Sequence, residues 1–245
     1  MANWSDPRTT AAGFGGTPTG AVADRIDAGL RSYMLSVYNY MASGVLLTGI
    51  VAMLFAQSGM AAQVLGGPGI LKWIIMLAPL GFVMTLSFGI NRLSTTTAKA
   101  LFWGYAGVMG LSMASIFLVY TGTSIAQTFF ATAAAFAGLS LFGYTTKRNL
   151  SGFGTFLIMG VVGLLVASLI NIFLRSPVMD LAISGIGVLL FAGLTAYDTQ
   201  KIKSMYSYVA GTDMAAKSVV MGALSLYLDF VNMFLFLLRF MGNRD

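Results

Sequence analysis

Apolar residues along this chain gather into seven long blocks, at roughly 33–55, 72–91, 99–120, 124–143, 153–174, 178–201 and 216–240, with short polar stretches between them. A block of about twenty residues is what an α-helix needs to cross about 30 Å of hydrocarbon at 1.5 Å per residue. The pattern therefore predicts an all-α polytopic membrane protein with seven transmembrane helices. Only Thr121, Gly122 and Thr123 separate the third block from the fourth, so the break between those spans is placed there. Ser176 followed by Pro177 predicts the start of the sixth span, because the serine can cap and the missing proline N–H costs nothing at the first helical position. Pro79, inside the second span, predicts a kink. Small residues at Gly104, Gly107 and Gly110, and at Ala131, Ala135 and Gly138, have the spacing that lets helices approach closely in lipid. No internal repeat is visible, and an odd span count argues against a simple inverted-repeat transporter.

Residues 1–28 are rich in Gly, Thr, Ala and Pro with no periodic apolar face, and are expected to form a disordered cytoplasmic tail ahead of a transmembrane domain at 29–245. The first apolar block is too long for a signal-peptide core and is kept as a span. Composition agrees with the pattern: 57% of residues are hydrophobic and 9% charged, against about 25% charged in a soluble domain. Mean hydropathy is +0.82. The net charge of +6 does not point to nucleic acid, since the Lys and Arg residues are spread between the apolar blocks. They act instead as topology signals. With the N-terminus inside, the inner segments carry ten of them (Arg8, Arg25, Arg31, Arg92, Lys99, Lys147, Arg148, Lys201, Lys203, Lys217) and the outer segments four (Lys72, Arg175, Arg239, Arg244). The positive-inside rule then predicts a cytoplasmic N-terminus and an outside C-terminus.

The chain has no Cys and no His, which removes disulfides, thiol chemistry, zinc and haem sites and every His-based nucleophile pair. All eight acids are Asp. Asp6, Asp24, Asp27, Asp213 and Asp245 fall in the tail, the last inner loop or the terminus, where solvation explains them. Asp180 lies in the first turn of the sixth span, near Arg175, where the helix dipole favours a carboxylate. Asp198, near the inner end of the sixth span, and Asp229, inside the seventh, remain. An ionisable residue within a span costs at least about 2.5 kcal/mol on insertion scales, so each is a candidate functional group. On a helical projection Ser218, Gly222, Ser225, Asp229, Asn232 and Arg239 form one polar stripe, and Asp198 shares its face with Ser184, Gly187 and Thr195. The alternative is that each Asp only hydrogen-bonds a neighbouring helix. Measured from the outer boundary along untilted helices, Asp198 lies about 25 Å deep and Asp229 about 14 Å, a gap of about 10 Å and too long for a hydrogen bond.

Two segments, Leu194-Thr195-Ala196-Tyr197-Asp198-Thr199-Gln200-Lys201-Ile202 and Ala223-Leu224-Ser225-Leu226-Tyr227-Leu228-Asp229-Phe230-Val231-Asn232 with Leu237-Leu238-Arg239, make the chain resemble the transmembrane Bax inhibitor motif family, also called the Bax inhibitor-1 family, and its bacterial members in particular. Tyr38-Asn39-Tyr40-Met41 and Lys147-Arg148-Asn149-Leu150 add to the match. The resemblance implies six helices in two layers around a central C-terminal helix, in a bacterial inner membrane. It also implies that Asp198 and Asp229 form a di-aspartyl pair that senses pH and gates a calcium leak, binding the ion weakly, with Arg92 as the counter-charge that some members bring from the second helix. Lys203 through Met214 make a longer connection between the two Asp than the family pattern has.

These residues support a leak on physical grounds as well. Two carboxylates in a poorly hydrated site share a proton, and when it leaves, repulsion opens the contact and frees oxygens that suit a hard cation. No enzyme activity and no cofactor are expected, calcium being the transported ion; the partners are the bilayer, calcium and protons. Two other readings compete. Paired Asp on adjacent helices resemble those of intramembrane aspartyl proteases, but the second Asp lacks a Gly-flanked motif and the chain has two helices fewer. Alternatively the protein regulates, or is a substrate of, a membrane quality-control protease, with which some bacterial relatives are associated and which could grip a tail such as 1–28.

Overall fold

The computed structural model describes residues 19–243, with side chains from Asp27 onward. Among these residues the chain is helical throughout: α1 (Thr19–Gln57), α2 (Met60–Gly66), α3 (Ile70–Gly89), α4 (Thr95–Met113), α5 (Gly122–Thr145), α6 (Ser151–Leu174), α7 (Pro177–Val209) and α8 (Met214–Met241). Seven of the eight are long and apolar enough to cross a membrane; α2, with seven residues, is not. A 3-10 turn at Ala114–Leu118 extends α4 to the short break before α5.

The helix starts follow local chemistry. Ser94 Oγ accepts from the Thr97 N–H at 3.1 Å at the head of α4, Thr121 Oγ1 from Ser124 at 3.2 Å at the head of α5, and Ser176 Oγ from Met179 at 3.3 Å ahead of Pro177. Each satisfies an amide that the first helical turn leaves without an intrahelical partner. Thr121 is thus the break expected between the third and fourth spans. The helix α3 runs unbroken through Pro79.

The helix α8 is the central element. In its membrane-spanning window 61% of residues are buried, against 11–39% in the other six spans. It packs against α1 and α4 on one side and α5 and α7 on the other, while α3 leans on α4 and α6 on α7. Two groups of three spans therefore flank one helix, as the family resemblance implies. Tyr227 of α8 anchors one side: its ring meets Tyr105 and Phe102 of α4 edge-on at 5.1 and 6.3 Å. Its hydroxyl donates to Thr48 Oγ1 of α1 at 2.7 Å, and Thr48 donates in turn to the Ala106 carbonyl at 2.8 Å. A fully buried tyrosine is satisfied by a relay through two other helices.

Three expectations need correction. The helix α1 begins at Thr19, so residues 19–28 are not the disordered tail expected for 1–28; Ala21, Ala23 and Arg25 are good helix formers that continue the span downwards. The expectation for residues 1–18 lies outside the described residues. The sixth span does not end near Lys201: α7 continues to Val209, and the long connection expected from Lys203 to Met214 shrinks to Ala210–Asp213, turned by Gly211 at φ 75°. Packing holds that extra stretch, since Val209 is buried and the Tyr206 ring lies 5.4 Å from that of Tyr33 on α1. Not all the small residues are contact points. A Cβ on Gly104 would strike Phe82 and one on Gly110 would strike Val51, but Gly107 and Gly138 face open space and Ala131 and Ala135 are exposed. Asp180 does lie in the first turn of α7, and it also pairs with Arg239 of α8 at 3.8 Å; Arg175 closes α6 at φ 49°.

Candidate functional site

The helices α7 and α8 form an antiparallel hairpin that carries both candidate carboxylates. A Cβ on Gly222 would touch Ile202, one on Gly187 would touch Phe236 and one on Gly185 would touch Phe240. These facing pairs set the register and place Asp198 level with about residue 226, so Asp229 sits about three residues, or about 4.5 Å, further along the hairpin axis. The 10 Å gap expected from untilted spans came from setting the outer ends of the sixth and seventh spans level; the facing pairs offset those ends and remove more than half of it.

Asp229 is 4% exposed, and its Oδ2 is buried with no hydrogen-bond partner. The charged group that bears on it is Asp198, which is half-buried and is itself under the influence of the Lys201 cation. Among the described residues neither carboxylate takes part in an ion pair, and no hydrogen bond joins them. A buried acceptor without a donor costs about 1–3 kcal/mol, and more when charged. Such a group marks a place where a proton or a cation would be welcome.

The segment around Asp198 is clamped by the neighbouring helices. Gly143 of α5 lies against the backbone of Ala196, and Gly154 of α6 against the ring of Tyr197, both so closely that a Cβ at either would collide. Thr199 donates to Ser140 Oγ of α5 at 3.4 Å. Gln200 accepts from the Leu150 N–H and donates to the Arg148 carbonyl, each at 2.8 Å, and Lys203 Nζ donates to the Tyr144 carbonyl at 2.7 Å. About two turns of helix are thus held in height and rotation by α5, α6 and the connection between them. Sequence reasoning quoted Thr199 and Gln200 within a motif but gave neither a role. The signal available was Gln200 at the edge of an apolar block, opposite the polar turn at 147–150.

A second feature was also missed. The buried face of α5 carries Ser124, Thr128, Thr132 and Ser140, each at most 5% exposed, and α7 adds Ser184, Thr195 and Thr199, each fully buried. Hydroxyls at fourfold spacing in an apolar span are legible, and here they face the α7–α8 hairpin side of the bundle, the side against which α5 packs. Thr132, Thr195 and Ser184 satisfy themselves on carbonyls four residues back, so their oxygens keep a lone pair free.

The remaining expected site residues are not gathered here. Arg92 is exposed in the turn between α3 and α4 and makes no ion pair with either Asp. Asn232 is half-buried and donates to the Leu228 carbonyl of its own helix at 2.8 Å. Ser225 is half-buried. The stripe of α8 is shared between neighbours, because Ser218 bonds Tyr33 of α1 at 2.7 Å while Gly222 meets α7. Among the described residues no group of three or more acidic, His or Cys side chains could hold a metal ion.

Comparison with known proteins agrees with this architecture. Residues 30–245 match the family model described as inhibitor of apoptosis-promoting Bax1. A Rickettsia prowazekii protein is 49% identical over 219 residues, covering 89% of this chain and 92% of its own. The inner membrane protein YbhL of Escherichia coli K12 is 46% identical over 219 residues, covering 89% and 94%. A membrane protein of Streptococcus pyogenes is 36% identical over 221 residues, covering 89% and 96%. With seven apolar spans, a buried Asp in a central helix and a family match over nearly the whole described chain, this multi-pass membrane protein belongs to the Bax inhibitor-1 family.

Proposed function

We propose that the protein is a pH-sensitive leak for calcium in a bacterial inner membrane, gated by Asp198 and Asp229. The observation that carries the reading is the orphan Oδ2 of Asp229, buried in the central helix beside the one other carboxylate at similar depth. At acidic pH a proton held between the two groups supplies the donor that this oxygen lacks and ties α7 to α8. Loss of that proton leaves two like charges in a poorly hydrated space, which pushes the helices apart. The separated oxygens then offer a hard cation a transient stop. Calcium takes six to eight oxygen ligands, so two carboxylates hold it weakly, with water and hydroxyls such as Thr195 and Thr199 filling the shell. Weak binding suits conduction better than storage. Hydrolysis is less well supported: Asp229 follows Leu226-Tyr227-Leu228 rather than a Gly-flanked motif, and the described residues hold seven spans, two fewer than intramembrane aspartyl proteases have.

The test is calcium flux from loaded liposomes containing the purified protein, followed from pH 5 to 8. Flux that rises with pH in the wild type and loses its pH dependence in Asp198→Asn and in Asp229→Asn supports the reading. A pH profile unchanged by either substitution assigns both groups to structure alone.

A further inference from the structure

A second site lies on the face of the bundle between α1 and α5, and one end of it reaches the clamp around the Asp198 turn. A groove of about 820 Å³ runs there between the Met34–Leu46 stretch of α1 and the Phe129–Tyr144 stretch of α5, floored by Phe230 of α8. Its walls are almost wholly apolar, and flanking Leu46 and Leu141 are 65% and 63% exposed, so it opens sideways into the hydrocarbon. One end is different. Arg31 lines it and makes no ion pair among the described residues. Beyond Arg31 lies a polar basin of about 500 Å³, lined by Leu30, Thr146, Gln200, Lys203, Ser204 and Ser207 among others. The two cavities are neighbours, because Lys203, which borders the basin, bonds the carbonyl of Tyr144, which borders the groove. Lys203 stands at the junction, its Nζ over the Tyr144 ring at 4.8 Å and bonded to the Tyr144 carbonyl, which leaves two of its three donors for a ligand.

We propose that this composite cavity binds a phospholipid with an anionic headgroup, its acyl chain along the α1–α5 groove and its phosphate between Arg31 and Lys203. The dimensions suit a chain. From Arg31 to Leu46 the groove follows fifteen residues of α1, about 22 Å, and half a bilayer core is about 15 Å. A partner helix of that length, about 10–12 Å across, displaces on the order of 2,000 Å³, more than twice the space available. Charge selects the headgroup, since two cations with no acidic partner within ion-pair reach among the described residues favour a net-negative lipid over a zwitterionic one.

The experiment is native mass spectrometry of the full chain in detergent, supplied with dioleoyl phosphatidylglycerol or dioleoyl phosphatidylcholine. The wild type should retain the anionic lipid preferentially. A basic residue near a membrane surface is worth about fivefold in affinity, so Arg31→Gln should weaken phosphatidylglycerol binding about fivefold and Arg31→Gln with Lys203→Gln about twenty-five-fold. Ala137→Phe fills the groove from an exposed position and should abolish the retained lipid, whereas Ala134→Phe, exposed on the same helix but outside the groove, should not. Equal retention of the two lipids by the wild type overturns the proposal, as does the same behaviour from Ala137→Phe and Ala134→Phe, which would mean annular lipid only. The readout involves no transport, so it stands or falls separately from the leak.

Discussion

Asp229 is the residue whose surroundings ask most for a functional explanation. A carboxylate at the middle of a span costs about 2.5–3.5 kcal/mol to insert, and the protein gives one of its oxygens no compensating donor. Arg92, the counter-charge implied by family resemblance, is exposed in a turn and pairs with neither Asp. An adjacent cation would favour the ionised pair, so removing it would move the flux midpoint to higher pH. With Arg92 placed as it is, Arg92→Gln is expected to leave the midpoint where it was, as a pH titration of liposome flux can check. Asn232→Leu would be disruptive if the amide bridged two helices. Because Asn232 bonds its own backbone and is half-buried, the expected loss is below about 1 kcal/mol, measured by denaturation in detergent. Thr48→Val should cost more, about 1–3 kcal/mol, since it strands the fully buried Tyr227 hydroxyl.

At the scale of elements, the α7–α8 hairpin and the clamp around Ala196–Lys203 decide where the carboxylates stand. Gly143 and Gly154 permit α5 and α6 to approach the turn that carries Asp198. Gly143→Ala is expected to push α7 away from α5, lowering stability by about 1–3 kcal/mol and changing the flux at fixed pH; Gly138→Ala, which faces open space, should do neither. Much of the element scale was legible in the sequence. Seven apolar blocks of span length gave seven helices, and Ser176-Pro177 and Thr121 marked real helix starts, because caps and hydrocarbon thickness are local constraints. The last two turns of α7 were not legible. Lys201, Lys203, Ser204 and Ser207 read as loop by polarity, yet tertiary contacts through Tyr206, Val209 and Lys203 keep them helical. The depth of Asp198 relative to Asp229 was not legible either, because it depends on the offset between α7 and α8 that the facing pairs at Gly185, Gly187 and Gly222 set. The clamp itself was hidden because its partners lie about fifty residues away in sequence.

For the molecule as a whole, the central place of α8 was implied by family resemblance and is visible in its burial, whereas periodicity alone shows only that one stripe is polar. The basic residues divide by end. Arg31, Arg92, Lys99, Lys147, Arg148, Lys201, Lys203 and Lys217 lie towards the end that holds the α7–α8 turn, and Lys72, Arg175 and Arg239 towards the other. The positive-inside rule predicts that the first end faces the cytoplasm. Since the chain has no native Cys, Ser151→Cys and Thr123→Cys report the two ends separately. An impermeant thiol reagent on intact cells should label the residue at 123 and not the one at 151, and the reverse would invert the orientation. The central claim, that Asp198 and Asp229 act as one gate, is tested most directly by calcium flux against pH for the Asp198→Asn, Asp229→Asn double variant beside the two single ones. Residues that share one proton predict that the double variant matches either single variant, a pH-independent flux with no further loss. Effects that simply add, or a double variant that keeps the wild-type pH profile, would contradict a shared gate.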